Sequence, residues 1–84
     1  MSIQNVTVEI FKYACAQDLA VWMQRRGWLL SALSLEGRMI WLQATRDGQR
    51  IEAEVRGVGD VPNACGVLMA AVAKADDRAA RTAA

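Results

Sequence analysis

The stretch Trp28–Arg56, WLLSALSLEGRMIWLQATRDGQRIEAEVR, decides the fold. Two tight-turn signals punctuate it, Leu35-Glu36-Gly37-Arg38 and Arg46-Asp47-Gly48-Gln49. An X-Gly pair at the centre of a two-residue hairpin supplies the positive φ that a type I′ turn needs. The two turns predict a meander of three antiparallel strands, about Trp28–Leu35, Arg38–Thr45 and Gln49–Arg56. Residues flanking such a turn pair directly, and the pairing fixes which side chains share a face. Around Asp47-Gly48, Ala44 faces Ile51, Leu42 faces Ala53 and Ile40 faces Val55. Around Glu36-Gly37, Leu33 faces Ile40, Ser31 faces Leu42 and Leu29 faces Ala44. The expected inner face is Leu29, Leu33, Ile40, Leu42, Ala44, Ile51, Ala53 and Val55, with Ser31 its one polar member. The same phasing expects Trp28, Leu30, Ala32, Met39 and Trp41 on the opposite face, beside Arg50, Glu52, Glu54 and Arg56.

Helices flank the meander. Tyr13–Arg26 carries an apolar stripe of Cys15, Leu19, Trp22 and Met23. Arg25 and Arg26 suit the negative end of its dipole, and Gly27 suits the C′ stop. Upstream, Ile3–Ile10 alternates as a strand does, with Val6, Val8 and Ile10 on one side, and a helix would then start near Lys12. The spacing of Val8, Phe11, Cys15, Leu19 and Trp22 also allows a helix from Thr7, so a fourth, N-terminal strand stays open. Downstream, Gly57-Val58-Gly59 ends the last strand. Asp60 can cap a second helix with Pro62 in its first turn, and Val61, Cys65, Leu68, Val72 and Ala75 form its stripe. Residues 76–84 read as a polar, alanine-rich tail that frays. The expected class is α+β over a single domain, residues 1–84: an antiparallel meander with two helices packed on one face.

Composition removes several function classes. A chain with 54% hydrophobic residues is a packed globule. Ten Lys and Arg against nine Asp and Glu give a net charge of +1, which exerts no global pull on nucleic acid or acidic lipid. There is no histidine, so histidine triads and histidine metal sites are excluded. Gly57-Val58-Gly59 is too short for a phosphate loop and lacks a following Lys. Glu52 and Glu54 resemble paired carboxylates, but an exposed strand accounts for them equally well. The N-terminus lacks the basic and apolar regions of a signal peptide, and no apolar run is long enough to span a membrane. Cys15 and Cys65 read as buried, free thiols of a cytoplasmic protein; a disulfide between them requires the two helices to be neighbours.

The order helix, three strands, helix resembles the double-stranded RNA-binding domain in topology. That family holds phosphates with lysines at the start of its last helix. Here the stretch is Asp60-Val61-Pro62-Asn63-Ala64-Cys65-Gly66, without a basic residue, so RNA binding of that kind is not expected.

The face opposite the core is where a partner is expected. Two tryptophans, a leucine and a methionine together approach the patch size that soluble proteins reserve for function, and Trp and Met are enriched in interface cores. The expected partner-binding residues are Trp28, Leu30, Met39, Trp41, Glu54 and Arg56. They suit a small non-catalytic interaction protein, an inhibitor or adaptor that acts by surface occlusion on another protein or as a homodimer. A phage-type inhibitor of a host or defence enzyme is one concrete form, although no residue motif identifies it. The alternative is single-stranded nucleic-acid binding, with bases stacked on Trp28 and Trp41, which Glu52 and Glu54 oppose. No enzymatic activity, cofactor, metal, membrane or small-molecule substrate is expected.

Overall fold

In the computed structural model, which describes residues 2–83, both turns form as their glycines require. The central residues all have positive φ: 53° at Glu36, 78° at Gly37, 47° at Asp47 and 84° at Gly48. Together they join strands β2 (Leu29–Leu35), β3 (Arg38–Arg46) and β4 (Gln49–Glu54). A short strand β1 (Ile3–Asn5) adds to the free edge of β2, giving an antiparallel sheet of order β1-β2-β3-β4.

Around Asp47-Gly48 the register is the expected one, with Ala44 opposite Ile51 and Leu42 opposite Ala53. Around Glu36-Gly37 it holds for two pairs only, Leu35 with Arg38 and Ser34 with Met39. The ladder then skips Ile40. Leu33 pairs with Trp41, Ala32 with Leu42 and Leu30 with Ala44. One extra residue in β3 is a bulge, and a one-residue slip exchanges the two faces of the partner strand. The inner side of β2 is therefore Leu30, Ala32 and Ser34, not Leu29, Ser31 and Leu33. Leu29 is 66% exposed, whereas Trp28 is 2% exposed and Leu30 5%.

Helix α1 (Ala14–Gln24) ends in a Schellman turn. The amide of Trp28 donates to the Met23 carbonyl at 3.0 Å and that of Gly27 to the Gln24 carbonyl at 3.1 Å. Gly27 supplies the left-handed residue, at φ 78°. This turn delivers Trp28 onto Met23, and both are buried.

The N-terminal segment divides differently from either sequence reading. After the three residues of β1, Thr7–Lys12 forms a 3₁₀ helix. Asn5 starts it: its Oδ1 accepts from the Thr7 amide at 2.9 Å and from the Thr7 hydroxyl. That turn ends the strand at Asn5, before the alternation of Val6, Val8 and Ile10 can continue; Ile10 alone of the three is buried.

Helix α2 (Val61–Ala83) follows a 3₁₀ turn at Val58–Asp60. It continues through the stretch read as a frayed tail. Asp76 is bound to three other side chains, and Arg81 pairs with Asp77 at 3.2 Å. Both helices pack on the inner sheet face, and one core joins Leu19 and Met23 of α1, Leu68 and Val72 of α2, and Ala32, Leu42, Ala44 and Ala53 of the sheet. The architecture is two-layered α+β.

Candidate interaction face

The outer sheet face follows from the pairing, because residues directly opposite in adjacent strands share a side. One row across it is Asn5, Leu33, Trp41 and Glu54. The next, toward the Glu36-Gly37 turn, is Ile3, Leu35 and Arg38. On the other side lie Ser31, Gln43 and Glu52, then Leu29, Thr45 and Arg50. None of Ile3, Leu29, Leu33, Leu35 or Trp41 belongs to the core or packs against it. Their apolar side chains stand on a side where neither helix contributes packing.

Polar groups frame this patch on β4. Gln43 Nε2 donates to Glu52 Oε1 at 3.2 Å, and the Arg50 guanidinium lies 3.2 Å from the same carboxylate oxygen. Glu54 is exposed beside Trp41. The face thus has an apolar centre on β2 and β3 and a charged margin on β4, the arrangement of an interface core and rim.

Of the six side chains expected to bind a partner, the structure leaves two on this face, Trp41 and Glu54. Trp28 and Leu30 are core residues, moved there by the bulge and the Schellman turn. Met39 is half-buried and packs against the core, because it pairs with Ser34, the buried polar residue of β2. Arg56 is exposed beyond the end of β4, where its amide donates to Asp60 Oδ2 at 3.0 Å. The face gains Leu33, Leu35, Leu29 and Ile3. One signal for the exchange is present in the sequence: Gly27 at C′ makes Trp28 the C″ residue, whose usual apolar contact is C3, here Met23.

The two-tryptophan stacking platform is not assembled, since Trp28 is inside and Trp41 outside. Trp28 instead joins a buried-edge cluster. Its indole Nε1 donates to Asp76 Oδ1 at 3.0 Å, and Arg46 donates to the same oxygen at 2.6 Å. The Arg46 guanidinium lies 4.2 Å above the Trp28 ring centre, and Arg26 stands 4.0 Å from Asp76 Oδ2. Burial pushes the Asp76 carboxyl up, but the hydrogen bonds from Trp28 and Arg46 and the charges of Arg46 and Arg26 outweigh it. The net result is a carboxyl held below its ordinary range. Trp28 and Arg46 both donate to one Asp76 oxygen, so the cluster clamps α2 to the sheet.

Cys65 is not an activated thiol. Burial, together with the neighbouring Cys15 thiol, pushes its pKa up to about 12. Among the described residues no helix is long and apolar enough to cross a membrane.

The chain matches no protein-family model, and no curated protein or solved structure is significantly similar to it.

Proposed function

We propose that this protein is a small, non-catalytic protein-interaction module that occludes a surface of a partner protein through its outer sheet face. The observation that carries this reading is Trp41, a large aromatic side chain that no core residue packs against, flanked by Leu33 and Leu35 and edged by Glu54. Large aromatic anchors with apolar neighbours and a charged margin dominate the energetics of protein interfaces. The proposed setting is the cytoplasm, in keeping with two cysteines that stand as free thiols.

Size favours a larger partner over a second copy. Four strands about 4.8 Å apart and roughly six residues long present a flat face of roughly 400 Å². Two such faces together come to roughly 800 Å², below the range for specific interfaces, about 1,200–2,000 Å² in total. A partner that also contacts the strand ends or the turns buries more.

Trp41→Glu tests the proposal. The variant should keep the wild-type circular dichroism spectrum and denaturation midpoint to within about 1 kcal/mol, yet lose at least thirtyfold in partner affinity, the equivalent of about 2 kcal/mol. Unchanged affinity would remove the anchor and with it the proposal.

A further inference from the structure

Strand β4 is an edge of the sheet: β3 flanks it on one side and, among the described residues, no strand flanks it on the other. The positions of its free backbone groups follow from the pairing. Gln49 stands opposite Arg46 across a two-residue turn, which makes theirs a hydrogen-bonded pair. The Val55 amide donates to the Ile40 carbonyl at 2.8 Å. Bonding alternates along an antiparallel strand, so Gln49, Ile51, Ala53 and Val55 bond to β3. Arg50, Glu52 and Glu54 direct their amides and carbonyls outward. Ile51 turns to the inner face at the rim of the core, where it is half-buried. Helix α2 leaves the start of this edge open, because Ala75 and Ala79 are short and line a groove with Gln49.

We propose that β4 pairs with β4 of a second copy, antiparallel about a two-fold axis at Ile51, to give one continuous sheet across both chains. The inference does not rest on the outer-face reading. Backbone geometry allows only registers that set outward-bonding residues opposite one another, and charge selects among them. With the axis at Ile51, Arg50 of each copy lies opposite Glu52 of the other. The two Ile51 side chains then meet as a close, non-hydrogen-bonded pair. Moving the axis to Arg50 sets Arg50 against Arg50, and moving it to Glu52 sets Glu52 against Glu52; like charges directly opposite are destabilising. Charged edges ordinarily hold sheets apart, but this one complements itself in the register at Ile51. Within one chain Arg50 and Glu52 already lie 3.2 Å apart, so the seam closes a ring of four alternating charges. Pairing also doubles the outer face from roughly 400 to roughly 800 Å², the share that one partner contributes to a standard interface.

Sedimentation equilibrium of the full chain, up to about 1 mM, reads the mass in solution. The wild-type chain should pass from monomer to dimer as concentration rises. Glu52→Arg and Arg50→Glu should each stay monomeric with the wild-type circular dichroism spectrum, because each sets like charges across the seam. Mixed in equal amounts, the two variants should form a heterodimer, since every arginine again meets a glutamate. Neither variant regains its own Arg50–Glu52 pair, so the mixture reads the seam alone. Glu52→Pro removes only an outward amide and should be folded and monomeric. A wild-type chain that is monomeric throughout would overturn the proposal. So would a mixture of the two folded variants that stays monomeric, a folded Glu52→Pro chain that still dimerises, or a dimer lost in Trp41→Glu but kept in Glu52→Arg.

Discussion

The Trp28 indole donates to Asp76 across 48 positions of sequence, and the bond ties the start of the meander to the middle of the last helix. Arg46 completes the link from the end of β3, covering the indole and bonding the same carboxylate oxygen. Trp28→Phe keeps most of the ring's burial and removes one charge-assisted hydrogen bond, so it should cost about 1.5–3 kcal/mol. Trp28→Ala removes the ring as well and should cost about 3–5 kcal/mol. Urea denaturation measures both; values near zero would place Trp28 on the surface after all.

Acid should dissolve this clamp. The Asp76 pKa is lowered on folding, so its contribution is complete above the ordinary aspartate range, about pH 4–5, and disappears as pH falls toward the lowered value. Asp76→Asn should be less stable than wild type at pH 7 and lose less on acidification. Parallel stability–pH curves for the two proteins would show that other carboxylates set the acid response.

Leu42 lies wholly inside, between Ala32 and Ala53 on the neighbouring strands. Small neighbours leave it to fill the space under the helices, and Leu42→Ala should cost about 2–5 kcal/mol. The readout is the shift in denaturation midpoint at constant slope.

Glu36 sits at φ 53° in the turn between β2 and β3. A left-handed conformation costs an ordinary residue roughly 1–2 kcal/mol, and Asn tolerates it better. Glu36→Asn should stabilise the protein by about 0.5–1 kcal/mol and speed formation of the hairpin in folding kinetics. A loss of stability would mean that the Glu36 side chain contributes a contact which outweighs the strain.

These residues also show how far the sequence could be read. The Asp47-Gly48 turn fixed β3 against β4, and the faces of Leu42, Ala44, Ala53, Trp41 and Glu54 followed correctly. The β2 strand is almost all apolar, LLSALSL, so neither of its faces announces itself as the core. Its phase then rested on the Glu36-Gly37 turn alone, and a single extra residue at Ile40 reversed it. The bulge has no residue signature of its own here; the one local cue to the exchange is Gly27, which as C′ sets Trp28 against Met23, and tertiary packing, with Trp28 and Leu30 as the better core pair, selects it. Asp76 was unreadable for a related reason. Its partners come from two segments distant in sequence, Arg26 and Trp28 around the end of α1 and Arg46 at the end of β3, and nothing local distinguishes it from Asp77.

The central claim is that the outer sheet face meets a protein partner. Site-specific photocrosslinking tests it most directly, with a benzophenone amino acid placed at Gln43 on that face or at exposed Lys74 on α2, in extracts of the cells that make the protein. The account predicts one discrete adduct from Gln43, none from Lys74, and loss of the Gln43 adduct when Trp41→Glu is added to a folded chain. An adduct from Lys74 alone, or a Gln43 adduct indifferent to Trp41→Glu, would contradict it.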